Sequence, residues 1–180
     1  METKKSNYEA WKRLLAAIDR NDHALVCEFL ESSDADVRTR AAAALGEARW
    51  APAASELQKR LDVESEHGVR LAMVRALASI RSPDAAPRLW VLLEDDSETV
   101  QRLALRGLSY LRDPRVLEVA PRFYAGGGSL MRQEALDALV RFHAPEGPRA
   151  LEALLLAKPP WSRRRAIRRA IRRSRQGWAK

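Results

Sequence analysis

Histidine and its neighbours are the first residues to consider for metal or acid–base chemistry. The sequence has three histidines, His23, His67 and His143, and one glutamate-histidine pair at Glu66 and His67. A metal site needs three or four such ligands at regular spacings or on facing elements. These histidines fall in different segments at unlike positions. The sequence therefore predicts no metal centre, no cofactor, no catalytic residues and no enzyme activity.

The glycine-rich stretch AGGGS at residues 125–129 is the candidate for a phosphate-binding loop. A phosphate loop follows its glycines with a lysine and then a serine or threonine, and this stretch lacks the lysine. We predict a connection between two helices here and no nucleotide site.

The single cysteine and the absence of long apolar runs bear on location. Cys27 has no partner for an internal disulfide, which favours a reducing cytoplasm. No apolar run approaches the length of a membrane span, and the first residues lack the apolar stretch of a secretory signal. We therefore expect a cytoplasmic chain, with Cys27 as a small buried side chain.

Positive charge is concentrated at the C-terminal end of the chain. Residues 158–180 carry ten lysines and arginines and no acidic residue, whereas residues 1–157 carry 22 basic and 24 acidic residues. An amphipathic helix is predicted in this segment, with an apolar stripe at Ala166, Ile167, Ala170 and Ile171. Its candidate binding residues are Arg164, Arg165, Arg168, Arg169, Arg172 and Arg173.

Two interpretations of this arginine-rich helix stay open. A terminal helix needs a polar outer face for solubility, and the arginines satisfy that need. Many arginines without an acid also repel one another and favour an anionic partner, because the guanidinium fork matches a carboxylate or a phosphate. We expect the row Arg165, Arg169 and Arg173 to bind an acidic protein segment, with nucleic acid as the alternative partner.

A second candidate surface includes one tryptophan and three arginines outside this helix. Trp90 takes the place that Gln58, Pro121 and Glu152 take in the other copies of a repeat described below, so it is expected on a partly covered flank. A partly exposed tryptophan anchors many interfaces, although it also serves as packing between helices. Arg115, Arg122 and Arg149 are expected on one side of the outward face of the second helices.

The elements that position these residues are short helices in a repeat of about 31 residues. Pro52, Pro83, Pro114 and Pro145 share this spacing. Apolar residues recur with it in two further sets: Val37, Val69, Val100 and Met131, and then Leu45, Leu77, Leu108 and Leu139. Within each copy, apolar residues follow the 3.6-residue period of a helix on both sides of the proline. Each copy is therefore a helical hairpin whose second helix begins near the proline.

Polar residues before the first helices are expected to cap them. Asp34 or Asp36, Ser97 and Ser129 precede the apolar stripes of three copies, as N-cap residues do.

The sequence DADVRTRAAAALGE at residues 34–47, followed by a proline-led helix, resembles the short bacterial HEAT repeats, also found in phycobilin lyases and deoxyhypusine hydroxylases. This resemblance implies an all-α, right-handed α-solenoid of about five HEAT-type hairpins. It covers residues 34–157 as four repeats, with residues 1–33 as a capping hairpin and residues 158–180 as an arginine-rich cap and tail. It also implies that Arg38, Arg70 and Arg132 form ion pairs between repeats.

Second helices of such repeats are expected to present a binding face, and here that face mixes charges. Its predicted outward positions are Pro52, Ser55, Lys59, Asp62, Asp84, Pro87, Val91, Glu94, Arg115, Glu118, Arg122, Glu146, Arg149 and Ala153. A groove for nucleic acid would be uniformly positive, whereas mixed charge suits a protein partner.

We therefore predict a non-enzymatic scaffold or adaptor that binds a protein partner. One alternative is a nucleic-acid binder similar to the DNA glycosylases built from HEAT-like hairpins, in which Trp90 and Asp95 or Asp96 would act. The other is a lyase-like or chaperone-like factor for a cofactor-bearing protein, which would need an open apolar and aromatic cleft. The oligomeric state does not follow from the sequence.

Overall fold

A computed structural model describes residues 2–142 and 145–176 of the chain; His143 and residues 177–180 of the predicted tail lie outside this range. The described residues form helices and turns and contain no strand, so the predicted all-α class is confirmed. The chain divides into two compact units, which we call unit 1 (Met1–Leu89) and unit 2 (Trp90–Lys180).

Unit 1 is built from helices that pair in sequence order. They are α1 (Glu2–Asp19), α2 (His23–Glu28), α3 (Ala35–Glu47), α4 (Ala54–Val63) and α5 (His67–Ile80). Short 3-10 turns at Phe29–Glu31, Ala51–Ala53 and Pro83–Ala85 extend or begin the second helices of the hairpins. The helix α6 (Ala86–Leu92) begins in unit 1 and ends in unit 2.

Unit 2 continues the same order of first and second helices. Its elements are α7 (Glu98–Tyr110), α8 (Val116–Gly126), α9 (Ser129–Val140), α10 (Glu146–Leu156) and α11 (Trp161–Gln176). The first helix α7 packs on the first helix α9, and α9 packs on α11. The second helices α8 and α10 pack together as well, so unit 2 has two layers of helices.

The apolar positions that carry the repeat form the cores of the units. In unit 1, Leu45 and Leu77 are fully buried, and in unit 2 Leu108 and Leu139 are fully buried. The positions predicted to face outward on the second helices are all exposed. Each hairpin therefore buries the apolar face that the 3.6-residue period predicts.

Three of the repeated prolines lie at helix starts, where the backbone N–H that proline lacks would have no partner within the helix. Pro52 lies in the 3-10 turn before α4, Pro83 begins the turn before α6, and Pro145 occupies the N-cap position of α10. Amide groups in the first turn of a helix have no partner within the helix, so a proline loses no hydrogen bond there. The predicted role of these prolines is confirmed.

The predicted N-caps are confirmed in one copy and wrong in another. Asp34 caps α3, since its carboxylate accepts the N–H groups of Asp36 and Val37. Ser97 holds the N-cap position of α7 but makes no capping bond with its hydroxyl. Ser129 is the first residue of α9, and Gly128 takes the cap position. There the carboxylate of Glu98 accepts the Gly128 N–H at 2.8 Å, so the amide is satisfied by a side chain from α7.

First helices α3 and α5 approach closely at one glycine. A Cβ atom at Gly46 would lie 2.8 Å from the Cα of Ala76, which is closer than backbone atoms allow. The alanine-rich sequence of α3 and this glycine therefore set the separation of the two helices.

Candidate functional site

Trp90 is held in one orientation by a carboxylate and a guanidinium group. Its indole Nε1 donates a hydrogen bond to Asp113 Oδ2 at 2.8 Å, and the Arg115 guanidinium carbon lies 4.4 Å from the centre of the ring. Arg115 also binds Asp113, with 2.6 Å from Nη2 to Oδ2 and 3.0 Å from Nε to Oδ1. These contacts satisfy the polar edge of the indole and fix its position.

The sequence RDPR at residues 112–115 explains why this arrangement forms. Arg112 takes a left-handed backbone conformation that ends α7. Asp113 then accepts the backbone N–H of Arg115 at 3.1 Å, in the turn that begins α8. The hydrogen bond from Arg115, helped by that from Trp90, lowers the pKa of the Asp113 carboxyl, so it stays charged at neutral pH.

The indole forms one wall of an open cleft of about 290 Å³ in unit 2, which we call the Trp90 cleft. Its lining residues come from α6 and the turn after it, from α7 and from α8: Trp90, Leu93, Glu94, Gln101, Val119, Arg122 and Phe123. The structure therefore brings together Trp90 and Arg122, with Arg115 stacked on the indole. Arg149, which is exposed on α10, does not line the cleft.

Sequence reasoning missed the other apolar walls of this cleft. Val119 and Phe123 are four residues apart on α8, with Arg122 between them on the same face. This spacing was a signal in the sequence, but it was indistinguishable from an ordinary core stripe until α6 and α8 were placed side by side.

The C-terminal helix α11 buries the centre of the predicted apolar stripe, and Ala166 and Ile171 at its sides are half-buried. Ile167 and Ala170 are buried, and Ser174 extends the buried face by donating its hydroxyl to the Ile171 carbonyl oxygen at 2.8 Å. Successive residues turn about 100° around a helix, so Arg165, Arg168, Arg169 and Arg172 lie on the opposite side. All four are exposed. We call these four residues the arginine stripe.

Two further arginines of α11 have acidic partners within unit 2. Arg173 pairs with Asp137 on α9, and Arg175 pairs with Glu152 on α10. The predicted row Arg165, Arg169 and Arg173 is therefore not uniformly free. No described residue forms an ion pair with a member of the arginine stripe, which leaves its charges to the solvent or to a ligand.

Arg164 belongs to a contact that recurs at the start of every first helix from α3 onward. One side chain there donates to a backbone carbonyl that precedes the helix. The pairs are Arg38 with Ser32, Arg70 with Leu61, Gln101 with Asp95, Arg132 with Gly127 and Arg164 with Pro159. These carbonyls lie at or beyond the ends of the preceding second helices, where helical partners are missing.

The ion pair implied for these arginines is present at Arg38. Its guanidinium binds both oxygens of Glu64, at 2.7 and 3.0 Å. That hydrogen bond lowers the pKa of the Glu64 carboxyl and raises the pKa of Arg38. The contact to a backbone carbonyl is present in every copy from α3 onward.

A buried carboxylate in unit 2 was not predicted. Glu134 on α9 is 4% exposed, and Arg106 on α7 donates to it at 2.5 and 2.8 Å. Arg141 binds the other oxygen of Glu134 at 3.2 Å and the Ser109 hydroxyl at 3.1 Å. This network joins α7 to α9 around a buried carboxylate, which indicates a structural role.

The positions of the acidic, histidine and cysteine side chains bear on the metal and catalytic chemistry that the sequence predicts to be absent. In the part of the chain that the structure describes, no three His, Cys, Asp or Glu residues are arranged to hold a metal ion. Asp95 accepts the Ser97 N–H at 2.9 Å, and the indole of Trp90 binds Asp113 rather than Asp95 or Asp96. Cys27 is half-buried rather than buried as predicted, and this partial burial raises the pKa of its thiol, which favours the protonated form. No described helix has the length and apolar content that a membrane crossing requires.

Several solved structures share the fold of this chain at low sequence identity. The complex of CpcE and CpcF of phycocyanin lyase from Nostoc sp. PCC7120 contains a chain that is 23% identical, with a TM-score of 0.64. The alignment covers 86% of this chain and 65% of that one, so this chain spans less than two thirds of its length.

Two engineered proteins are similar as well. One is 22% identical with a TM-score of 0.57, over 85% of this chain and 77% of its own. The other is 21% identical with a TM-score of 0.57, over 90% of this chain and 50% of its own. No protein of curated function matches the sequence.

The family described as HEAT repeats matches residues 23–100 and 87–172, which together cover most of the chain. This match agrees with the paired helices of both units and confirms the predicted resemblance and the α-solenoid class of HEAT-type hairpins. The chain belongs to the family of HEAT-repeat proteins.

Proposed function

We propose that this HEAT-repeat protein is a non-enzymatic binding module that recognises an acidic segment of a protein partner through the arginine stripe. The observation that carries the proposal is the position of Arg165, Arg168, Arg169 and Arg172, which are exposed and face away from the buried side of α11. HEAT repeats generally mediate contacts between proteins, which is compatible with this role. A chain whose single cysteine has no disulfide partner suits the cytoplasm.

The geometry of the stripe suits several carboxylates at once. Arg165 and Arg172 are seven residues apart, which places their Cα atoms about 10 Å apart along the helix axis. Each guanidinium group offers a planar pair of donors that matches one carboxylate. Since the helix is anchored by Ile167 and Ala170, ligand binding does not have to order its backbone.

Two probes test the proposal directly. The first is a fluorescent helical peptide of about 20 residues with glutamates at every fourth position, and the second is a DNA duplex of about 20 base pairs. The variant Arg168→Glu/Arg172→Glu removes two stripe charges. The control Lys59→Glu/Arg75→Glu changes the net charge by the same amount at exposed positions of unit 1.

The stripe variant should lose affinity for the acidic peptide by about tenfold or more, which corresponds to about 1.4 kcal/mol. The control should lose much less, and both should melt within a few degrees of the parent. An equal loss of peptide affinity in the two variants would mean that binding depends only on the net charge of the protein. If the stripe variant kept the parent affinity for the peptide, the arginines would serve only as the polar outer face of the terminal helix.

Salt dependence separates a protein partner from nucleic acid. Neutralising four phosphates releases counterions, so the logarithm of DNA affinity should fall with the logarithm of salt at a slope of about 3 to 4. The peptide should show a shallower slope because its counterions are less condensed. DNA affinity that exceeds peptide affinity at physiological salt would favour the nucleic-acid alternative.

The absence of catalysis is part of the proposal and has its own test. Purified protein should contain no stoichiometric metal and should release no alkylated base from DNA. Base release that disappears on Asp95→Asn or Asp96→Asn would identify a glycosylase instead.

A second candidate function is assistance to a cofactor-bearing protein. The observation that favours it is the Trp90 cleft, which has the aromatic and apolar walls that such a factor requires. The fold similarity to a chain of a phycocyanin lyase complex gives this candidate its context. Binding of a free bilin, followed by its visible absorbance and abolished by Phe123→Asp, would support it.

A further inference from the structure

The Trp90 cleft and the arginine stripe have no residues in common, and the cleft has the features of a separate binding site. It is a concave cleft of about 290 Å³ within unit 2, lined by four aromatic or aliphatic side chains and by three polar or charged ones, Glu94, Gln101 and Arg122. Binding pockets for larger ligands have volumes of about 300 to 1,000 Å³, so this cleft is at the lower limit. A volume of this size suits one inserted side chain.

The indole wall is rigid before any ligand arrives. The Trp90 N–H is already bound to Asp113, and Arg115 covers one face of the ring while binding the same carboxylate. The remaining indole surface in the cleft has no polar group to satisfy. Because neither the ring nor its supports need to be ordered on binding, an apolar ligand gains the contact without a large entropy loss.

The rest of the lining is apolar at the base and charged at the edge. Leu93 is buried at 3% exposure, and Val119 and Phe123 are half-buried on α8. Glu94 and Arg122 line the same cleft and are exposed. Neither forms an ion pair with another residue in the described ranges 2–142 and 145–176. The cleft therefore has one unpaired negative charge and one unpaired positive charge beside an apolar surface.

We propose that the Trp90 cleft binds an extended peptide segment through one apolar side chain, which lies between an acidic residue facing Arg122 and a basic residue facing Glu94. The apolar side chain removes the exposed parts of Trp90, Val119 and Phe123 from water, which supplies the affinity. The two flanking charges complement Arg122 and Glu94, which fixes the register and rejects peptides of the wrong sign. This site is independent of the arginine stripe.

Short peptides of both chain directions test this proposal. The probes are acetyl-Gly-Asp-Leu-Lys-Gly-amide and acetyl-Gly-Lys-Leu-Asp-Gly-amide, which place the two charges in the two possible chain directions. The readout is the NMR signal of the Trp90 indole N–H, assigned among the five tryptophans with the variant Trp90→Phe. At least one probe should shift this signal in a saturable way at concentrations of about 1 mM. Replacing its leucine by serine should abolish the shift.

Charge reversal at the rim supplies the matched comparison. Arg122→Glu should weaken the active probe by about three- to fivefold, the effect of one exposed ion pair. It should improve binding of a probe with lysine on both sides of leucine. Arg149→Glu, an exposed arginine outside the cleft, should change neither affinity. Both positions are on the surface, so both variants should keep the parent melting temperature.

Three results would overturn the proposal. The first is that no probe shifts the Trp90 signal at about 5 mM. The second is that the serine peptide binds as well as the leucine peptide, which removes the apolar anchor. The third is a concentration-dependent dimer that Arg122→Glu abolishes in sedimentation experiments, since this would assign the cleft to a second copy of the chain. None of these results depends on Arg168 or Arg172, so the proposed acidic partner is tested separately.

Discussion

Single residues in this protein often serve two neighbours at once. Asp113 begins α8 by accepting the Arg115 N–H, and its other oxygen accepts the indole N–H of Trp90. A carboxylate that accepts several hydrogen bonds is favoured in its charged form. One side chain therefore links a turn, a helix start and the wall of a cleft.

Basic residues also occur at positions where the backbone favours glycine. Arg49 has a φ of 51° and follows the last turn of α3. The N–H of Arg49 binds the Gly46 carbonyl, and the N–H of Trp50 binds the Leu45 carbonyl, which is the hydrogen-bond pattern of a Schellman motif. Arg112 repeats this pattern after α7. A left-handed conformation is unfavourable for any residue with a Cβ atom.

Replacing Arg49 by glycine should stabilise the protein. The change relieves about 1–2 kcal/mol of left-handed strain and loses part of it to the greater freedom of glycine in the unfolded chain, so the net gain should be about 0.5–1 kcal/mol. Urea unfolding of the variant measures this gain. Arg49→Ala keeps the Cβ atom and should give none. A glycine variant no more stable than the alanine variant would contradict the argument.

At the scale of elements, polar contacts supplement the apolar stripes in fixing helix pairs. The contact from Arg38 to the Ser32 carbonyl and its equivalents attach each first helix to the chain that precedes it. In unit 2, α7 and α9 are additionally joined by Glu134, which lies between Arg106 and Arg141. The contact to a backbone carbonyl therefore recurs in each copy from α3 onward, whereas the Glu134 network joins one pair of first helices.

Removing the charge of Glu134 should weaken unit 2. Glu134→Gln keeps the shape of the side chain but leaves Arg106 and Arg141 without a charged acceptor, and we expect a loss of about 2 kcal/mol. The loss stays moderate because the side chains of Arg106 and Arg141 are 37% and 25% exposed and keep some solvation. The control Gln133→Ala alters an exposed neighbour on α9 and should change stability by less than about 0.5 kcal/mol. Equal unfolding curves for the two variants would exclude a structural role for the network.

At the scale of the whole molecule, charge governs stability as well as binding. The sequence has a net charge of +8 at neutral pH, and the unpaired part of that charge includes the arginine stripe. Asp137 and Glu152 pair with Arg173 and Arg175 and so attach α11 to α9 and α10. Protonation of such carboxylates increases the repulsion among the arginines.

Stability should therefore fall in acid, and Glu64 and Asp113 should contribute to the fall. Arg38 lowers the pKa of Glu64, and Arg115 lowers the pKa of Asp113, relative to the unfolded chain. Their contribution is complete above the unfolded values of about 4 and is lost as the pH falls through the lower folded values. Urea unfolding at a series of pH values measures the effect.

The variant Glu64→Gln provides the control for this pH dependence. It should be less stable than the parent at neutral pH and should lose less stability on acidification, because it has no proton to take up at this position. Parallel pH profiles for parent and variant would show that the ion pair of Arg38 and Glu64 does not contribute.

The sequence alone determined the class of the fold, the repeat and the amphipathic character of α11. Helical period depends on hydrogen bonds between residues four apart, so the spacing of Val69, Met73 and Leu77 within one copy carries it without reference to distant residues. The 31-residue spacing of equivalent leucines carries the repeat. The same local rule predicted the buried stripe that contains Ile167 and Ala170. The family match followed from the same residues.

The tertiary structure decided which charged and aromatic residues meet. Trp90 and Asp113 are 23 residues apart, and Arg173 and Asp137 are 36 apart, so neither pair follows from helical spacing. The choice between Asp95, Asp96 and Asp113 as the partner of Trp90 depends on how α6, α7 and α8 pack in unit 2. For the same reason, sequence patterning identified the arginines of α11, but only packing showed that Arg173 and Arg175 are paired. It also showed that the arginine stripe has no ion-pair partner among residues 2–142 and 145–176. Local periodicity fixes which face of a helix is buried, whereas the rotation and offset between helices fix the partners on the other faces.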